Sequence, residues 1–307
     1  MNSRVSAPRA SNLGSRTSRA PEPTAPVDLS GPITREAPTR AGQLDLHYTI
    51  DQYFFDQEAD SRFYLPRIEE AMLETAGPAP RQGARPDGRP SGRALDVACG
   101  TGKQMAHLQA LGWQACGVDA SDDMLRLGHY ISREVLECGR LLRAVAEALP
   151  FRDGSLDLVV CQGSMDHFAD PRLFIAEVAR ILAPGGRLVV ALANYDSLSC
   201  LWGRHKTRFL RRLNPRIPDD GYWQTPFDHT FKGTCLYLKR LRHPHLLRRQ
   251  LYGISLFQFL SPWRKTLGAL PRRQARALWR TVDGVARRIP LLADMVVAEW
   301  VKSPHPR

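Results

Sequence analysis

The residues best suited to chemistry lie at two places where a predicted strand ends in an aspartate. Asp96 is followed by Val-Ala-Cys-Gly-Thr-Gly, so Gly100 and Gly102 form a tight turn before an amphipathic segment. Glycine has no Cβ and tolerates positive φ, and such a turn therefore lets backbone approach a ligand closely. Asp119 ends the next predicted strand. An acid at that strand end is placed to accept the two hydroxyls of a ribose.

Two classes of cofactor use this layout. A dinucleotide-binding turn requires a third glycine, where helix packs on strand, and Met105 occupies that position here. Asp96 would also repel a pyrophosphate, whereas it suits a cationic amino-acid group. The two carboxylates and the neutral glycine turn match the ammonium, ribose and sulfonium of S-adenosylmethionine. The residues therefore favour S-adenosylmethionine over a dinucleotide.

Five motifs in register extend this interpretation. They are DVACGTG at 96–102, GVDAS at 117–121, EALPF at 147–151, LDLVV at 156–160 and LAPGGRL at 182–188. With them the chain resembles the class I S-adenosylmethionine-dependent methyltransferases, most of all the small-molecule subgroup that includes ubiquinone and menaquinone biosynthesis enzymes. The resemblance covers roughly residues 90–195. It implies an α/β, Rossmann-like fold whose seven-stranded, mostly parallel sheet has the order 3-2-1-4-5-7-6 and an antiparallel seventh strand.

The resemblance also implies which residues hold the cofactor. Asp96 is expected at the amino end and Asp119 at the ribose. Val145 stands where family members often carry an acid that reaches the adenine amine, so backbone near Ala146 and Glu147 is expected to take that role. The full predicted set is Asp96, Ala98, Gly100, Gly102, Asp119, Ala120, Met124, Ala146, Glu147 and Gln162.

Candidates for the acceptor side follow the fourth predicted strand and the segment after the fifth. His167 is a candidate general base, because a neutral histidine can take a proton from a hydroxyl as the methyl group arrives. A loop residue that packs on the cofactor is the alternative. Asp228, His229 and Trp223 are candidate substrate contacts, with a structural turn or lid core as the alternative. No metal site is predicted, because the six cysteines show no zinc spacing.

Composition divides the chain into four parts. Residues 1–43 lack core-forming side chains and are predicted to be a disordered tail. Residues 44–92 are predicted as N-terminal helices and a Pro/Gly/Arg linker, 93–196 as the cofactor-binding core, and 197–307 as a lid insertion plus the last strands. The core alternates strands at 93–98, 114–118, 141–145, 156–162 and 186–193 with helices at 103–111, 121–137 and 171–182. The last part is predicted to contain helices at 197–213, 234–249 and 271–288 and strands at 251–259 and 295–302.

Charge is concentrated in the last part. Residues 197–307 carry 22 Lys and Arg against 6 Asp and Glu, a net charge of +16. The whole chain has a net charge of +12, so the basic excess belongs to this part. Paired arginines at 248–249 and 272–273 would point about 100° apart on helices, which favours a diffuse basic surface over a groove. We therefore expect only weak, salt-sensitive contact with nucleic acid or an anionic surface.

The leading hypothesis from the sequence is methyl transfer to a small-molecule acceptor, most plausibly at a hydroxyl. An RNA methyltransferase that uses the basic third, and a non-catalytic scaffold that binds S-adenosylmethionine, remain the alternatives. No apolar run is as long as a membrane span needs. The scattered cysteines predict a reducing compartment, and hence the cytoplasm.

Overall fold

The computed structural model describes residues 63–80, 88, 91–131, 141–219, 221–225 and 229–304. The predicted tail at 1–43, the first part of the predicted N-terminal helices and Asp228 lie outside these residues. The four-part division of the chain therefore stays a prediction. No helix in the described ranges is both long and apolar enough to cross a membrane.

A seven-stranded sheet organises the described residues, with the order β3-β2-β1-β4-β5-β7-β6. Strands β1 to β5 pair in parallel, whereas β7 runs antiparallel to both β5 and β6. The predicted fold class and strand order are confirmed. The strands are β1 (Arg93–Val97), β2 (Gln114–Asp119), β3 (Leu141–Arg143), β4 (Leu156–Gln162), β5 (Leu182–Ala193), β6 (Leu246–Ile254) and β7 (Met295–Lys302).

Helices cover both faces of this sheet because side chains alternate along the buried strands. On β4, Val159 and Cys161 join the core cluster that contains Phe174, whereas Leu158 and Val160 join the cluster that contains Met105. The helices are α1 (Tyr64–Ala76), α2 (Lys103–Ala110), α3 (Asp122–Ile131), α4 (Pro171–Ile181), α5 (Leu198–Leu213), α6 (Cys235–Arg240), α7 (Ser261–Ala269) and α8 (Arg272–Arg288). Helices α4 and α6 pack on the first face, and α1, α2 and α8 pack on the second.

The first described helix is fastened to elements from the far end of the chain. Arg67 of α1 donates from Nε to Asp283 Oδ2 of α8 at 2.8 Å. The hydroxyl oxygens of Thr75 and Tyr252 lie 2.7 Å apart, and the Tyr252 hydroxyl lies 3.0 Å from the Ala71 carbonyl oxygen. Because these groups are buried or nearly so, α1 is part of the same core as β6 and α8.

The last third differs most from the sequence prediction. The helix predicted at 234–249 is much shorter, because α6 ends at Arg240. The strand predicted at 251–259 lies earlier in the chain, as β6 over Leu246–Ile254. The arginine pair at 248–249 thus lies on a strand. β6 is an edge strand whose register shifts between Arg248 and Gln250, so its exposed and buried residues do not alternate. Helix α7 was not predicted, although a proline at its N-terminus is a known start signal.

Smaller differences concern element ends. β5 begins at Leu182, before the Pro-Gly-Gly run, whereas the prediction placed its start at 186. β3 ends at Arg143 rather than at 145. Neither shift moves a predicted site residue off the edge of the sheet where the strands end.

Candidate cofactor and acceptor site

The carboxyl ends of three adjacent strands bring the predicted cofactor residues together. β1 lies between β2 and β4, and Asp96 pairs in register with Gly117 on one side and Val160 on the other. Asp119 ends β2 and Gln162 ends β4. This is the point where the strand order reverses, and open α/β sheets bind ligands in the crevice outside such strand ends.

The turn after β1 has the backbone that a close ligand contact needs. Ala98, Gly100 and Gly102 all have positive φ, at 54°, 54° and 79°. The Gly100 N–H donates to Asp119 Oδ2 at 2.8 Å, and the Ser121 N–H donates to Asp119 Oδ1 at 2.8 Å. Asp119 therefore fixes the turn to β2. Its two oxygens retain lone pairs for the hydroxyls of a ribose.

Asp96 is a buried carboxylate with an unsatisfied oxygen. The residue is 2% exposed, and its Oδ2 has no hydrogen-bond partner among the described residues. Burial, and then the nearby Asp119 carboxylate, raise the pKa of Asp96 well above its usual value. Gln162 Oε1 on the neighbouring strand end is also buried without a donor. Two buried acceptors without donors are costly, and an ammonium group placed between them would satisfy both.

The remaining predicted cofactor residues frame the turn. The Met124 methyl group lies 3.3 Å from the position that a Cβ on Gly100 would take, so this side chain covers the turn. Ala120 follows Asp119 directly, and Ala146 is buried beside the sheet edge. Glu147 Oε1 accepts from the Asp170 N–H at 3.3 Å, and burial raises the pKa of the Glu147 carboxyl. The Glu147 side chain thereby anchors the start of α4.

Sequence reasoning missed a glycine that the turn depends on. A Cβ on Gly128 of α3 would lie 2.9 Å from the Thr101 carbonyl oxygen, a contact that real Cβ atoms essentially never make. Helix α3 can therefore approach the turn only with glycine at this position. A glycine inside a predicted helix is the signal that could have revealed it.

A second cluster of polar side chains joins the turn after β4 to the segment that begins at His229. Asp166 and His167 lie on a 3-10 turn over Met165–His167. His229 Nδ1 lies 3.1 Å from Asp166 Oδ2, and the rings of His167 and His229 meet edge to face at 4.4 Å. The Thr230 hydroxyl donates to the Phe168 carbonyl at 2.6 Å, and its N–H donates to the Asp166 carbonyl at 2.8 Å. These bonds hold the segment at 229–230 against the turn that follows β4.

The structure thus brings His167 and His229 together and adds Asp166, which was not predicted. The sequence signal was only that Asp166 precedes His167, and the prediction gave Asp228 as the acidic neighbour of His229. Ligand-type atoms of Asp166, His167 and His229 all lie within 4.8 Å of one another. Chemically, a buried carboxylate beside two imidazoles can orient a proton acceptor, and its atoms are also of the types that divalent metals bind.

An aromatic cavity lies next to the histidines. The Tyr195 ring packs edge to face on His229 at 5.7 Å and also lines a cavity of about 380 Å³. Tyr222 and Phe259, whose rings stack at 5.3 Å, form another part of its wall. Among the described residues, the lining consists of Ala193, Asn194, Tyr195, Cys200, Gly221, Tyr222, Gln224, Phe259 and Asp294. The Asp294 carboxyl is buried, and burial raises its pKa.

Trp223 packs beside this cavity rather than in its lining. A Cβ on Gly203 or Gly221 would lie within 2.3 Å of its ring, so the indole occupies the space over both glycines. Its Nε1 donates to Asp219 Oδ1 at 3.0 Å. These contacts attach the lid loop to α5, and a direct contact of Trp223 with substrate stays a prediction.

Comparisons with known proteins agree with this geometry. Residues 95–190 match the family described as "Methyltransferase domain". The chain is 33% identical over 138 residues to an uncharacterized methyltransferase, YcgJ, of Bacillus subtilis, covering 44% of this chain and 54% of that protein. It is 31% identical over 207 residues to a probable chloroplastic tocopherol O-methyltransferase of Oryza sativa subsp. japonica, covering 65% and 55%. The chain thus spans about half the length of these relatives.

A solved structure shows the same fold. It is an S-adenosylmethionine-dependent methyltransferase of Thermotoga maritima, titled a possible histamine N-methyltransferase, with a TM-score of 0.50 and 17% identity. The match covers 83% of this chain and 96% of that one. The family match begins within β1, one residue before Asp96, and includes Asp119, Gln162 and His167. Residues 95–190 therefore form a methyltransferase domain, and its cofactor is S-adenosylmethionine.

Proposed function

We propose that this chain transfers a methyl group to a hydroxyl oxygen of a small, largely apolar acceptor. The unpaired, buried Asp96 oxygen beside the fixed glycine turn supports binding of the methyl donor, and the observation that carries the choice of acceptor is the aromatic cavity beside His229. When bound, S-adenosylmethionine supplies a methyl group already activated by a sulfonium. A new bond joins the acceptor oxygen to the methyl carbon, the carbon–sulfur bond breaks to leave S-adenosylhomocysteine, and the hydroxyl proton passes to a base.

The residues at the strand ends bind and orient the cofactor. Asp96 and Gln162 present buried acceptors for its ammonium group, and Asp119 accepts from its ribose. Met124 covers the turn from the side of α3. Most of the rate enhancement can come from holding nucleophile and methyl group in line, a contribution worth up to ~7–11 kcal/mol. Rigid placement by the sheet edge is therefore the main task of these residues.

We place proton transfer in the His167–His229 pair. The Asp166 carboxylate lies 3.1 Å from His229 Nδ1, close enough to orient the ring, and leaves the other ring nitrogen for another partner. The same division of roles orients a histidine base by a buried carboxylate in other enzymes. Because Tyr195 packs on the His229 ring and also lines the cavity, the pair stands where an acceptor in the cavity would present its hydroxyl.

The cavity wall favours an apolar or aromatic acceptor. Tyr222, Phe259, Ala193 and Cys200 contribute apolar surface, and a pocket of this kind takes ligands that bury ring or chain carbon. The name of the Oryza sativa relative, a probable tocopherol O-methyltransferase, makes phenols the first compounds to try. The five described cysteines are free, which supports a reducing compartment such as the cytoplasm.

The proposal is tested by methyl transfer from labelled S-adenosylmethionine to a panel of phenols and hydroquinones. The variants are His167→Ala and His229→Ala, and His205→Ala, an exposed histidine of α5, is the matched control. General-base catalysis contributes about 10²–10⁴-fold, so kcat should fall by at least ~100-fold in one of the first two and stay unchanged in the control.

Three results would overturn parts of this proposal. Full activity in both histidine variants would remove the pair from the mechanism. Labelling of RNA in place of small molecules would favour the nucleic-acid alternative. Tight binding of S-adenosylmethionine without transfer to any acceptor class would favour the non-catalytic scaffold.

A further inference from the structure

Helix α5 displays an apolar stripe to solvent. Its members, Trp202, Phe209 and Leu213, are 61%, 59% and 72% exposed. At 100° per residue, these three positions fall within an arc of about 40°. The apolar stripe is separate from the side of α5 that packs on the protein, whose buried residues are Ser199, Cys200, Gly203 and Thr207. Most of the surface of these three side chains therefore faces solvent.

Basic side chains border the apolar stripe. Helix α5 contains five Lys and Arg and no acidic residue. Arg204 donates to the Tyr195 carbonyl and contacts Asp196, and Arg211 lies 3.5 Å from Asp219. Lys206 and Arg212 are exposed, and they lie about 40° and 80° from Trp202 on opposite sides of the helix. The outer surface of α5 is thus an apolar line between cationic edges.

We propose that α5 docks this chain on the surface of a bilayer that contains anionic lipids. Surface-lying helices of this kind bury Trp, Phe and Leu at the boundary of headgroups and acyl chains, and their Lys and Arg contact the anionic headgroups. Tryptophan in particular suits that boundary, because its ring is apolar and its N–H is polar. The inference does not rest on the proposed methyl transfer.

The charges and the apolar stripe together argue against two other partners for this surface, nucleic acid and a second copy of this chain. Nucleic acid would contact Lys206 and Arg212 and leave the large side chains of the apolar stripe exposed to water. A second copy of this chain, docked stripe to stripe about a two-fold axis, would bring the cations of both helices together. An anionic bilayer satisfies both features at once, and large apolar side chains exposed along one line of a helix are a typical interaction surface.

The apolar stripe also changes the expected dependence on salt. Charge alone predicts weak contact that physiological salt removes, because exposed charges are screened within about 8 Å. Burial of Trp202, Phe209 and Leu213 in lipid is not screened. We therefore expect binding that persists at physiological salt and still prefers anionic lipid.

The test is co-sedimentation of the full chain with vesicles at physiological salt. One vesicle preparation contains one part phosphatidylglycerol to two parts phosphatidylcholine, and the other contains phosphatidylcholine alone. The stripe variant is Trp202→Ser, Phe209→Ser and Leu213→Ser together. Its matched control is Leu278→Ser with Val285→Ser, two exposed apolar residues of α8.

We expect the full chain to sediment with phosphatidylglycerol vesicles and the stripe variant to bind them at least about tenfold less. The α8 control should bind like the unmodified chain. Lys206→Glu with Arg212→Glu should abolish the preference for phosphatidylglycerol. Equal affinity for S-adenosylmethionine in all variants would show that the fold is intact, since every substituted side chain is exposed.

Three outcomes would overturn the inference. The full chain remains in the supernatant, the stripe variant binds as well as the full chain, or both vesicle types bind it equally. A dimer in solution that the stripe variant dissociates, without any vesicle binding, would assign the apolar stripe to self-association instead.

Discussion

Replacement of Asp119 by alanine should weaken binding of S-adenosylmethionine and loosen the turn at the same time. Hydrogen bonds to a charged group contribute roughly 1.5–3 kcal/mol each, and two ribose hydroxyls can donate to this carboxylate. One such bond at the lower end of this range, about 1.5 kcal/mol, exceeds the ~1.4 kcal/mol of a tenfold change, so the dissociation constant should rise at least about tenfold. The Gly100 and Ser121 N–H groups also lose their acceptor, which sits 2.8 Å from each.

Two further substitutions separate these effects. Asp119→Asn keeps one carbonyl oxygen for a backbone N–H, so it should recover much of the melting temperature but little of the affinity. Asp123→Ala, an exposed acid in the first turn of α3, is the matched control and should change neither. Isothermal titration calorimetry and thermal unfolding measure the two quantities. Unchanged affinity in Asp119→Ala, or tight binding of a dinucleotide in its place, would refute the reasoning.

Two more predictions concern the same edge of the sheet. Burial raises the pKa of Asp96, and the ammonium group of S-adenosylmethionine binds the ionised form of this carboxyl. As pH drops through the raised pKa, the carboxyl takes up a proton, so the affinity for S-adenosylmethionine should fall. Asp96→Asn should bind more weakly with this pH dependence removed, and an unaltered pH profile by calorimetry would contradict the assignment. Gly128→Ala should lower the melting temperature and the affinity, because its Cβ would stand 2.9 Å from the Thr101 oxygen. Gly284→Ala in α8, where a Cβ meets nothing within 4 Å, should instead stabilise by ~0.5–1 kcal/mol, and equal shifts in both variants would contradict the steric argument.

The core was predictable because each signal in it is local. The strands that carry Asp96 and Asp119 near their carboxyl ends are short apolar runs, and the glycine turn follows the first of them directly in sequence. Parallel strands with intervening helices then leave few possible topologies. Family resemblance supplied the remaining strand order, which periodicity alone does not contain.

The last third was harder because its signals depend on distant partners. Arg248 and Arg249 were predicted at the end of a basic helix, yet with Gln250 they are the exposed residues of an edge strand with a shifted register. The contact of Asp166 with His229 joins residues on either side of β5, and no local pattern indicates it. Asp166 is also 1% exposed, a burial that only the packing of the lid on the turn reveals.

The attachment of α1 to α8 has a consequence for synthesis on the ribosome. The hydrogen bond from Arg67 cannot form until Asp283, which is 216 residues further along the chain, has been synthesised. At roughly 5–20 residues per second, that interval lasts on the order of 10–40 s. During it the apolar side of α1, with Ile68 and Met72, has neither β6 nor α8 to pack against. The nascent chain is therefore a natural client for chaperones that shield apolar helices, and truncation before α8 would leave α1 permanently without this partner.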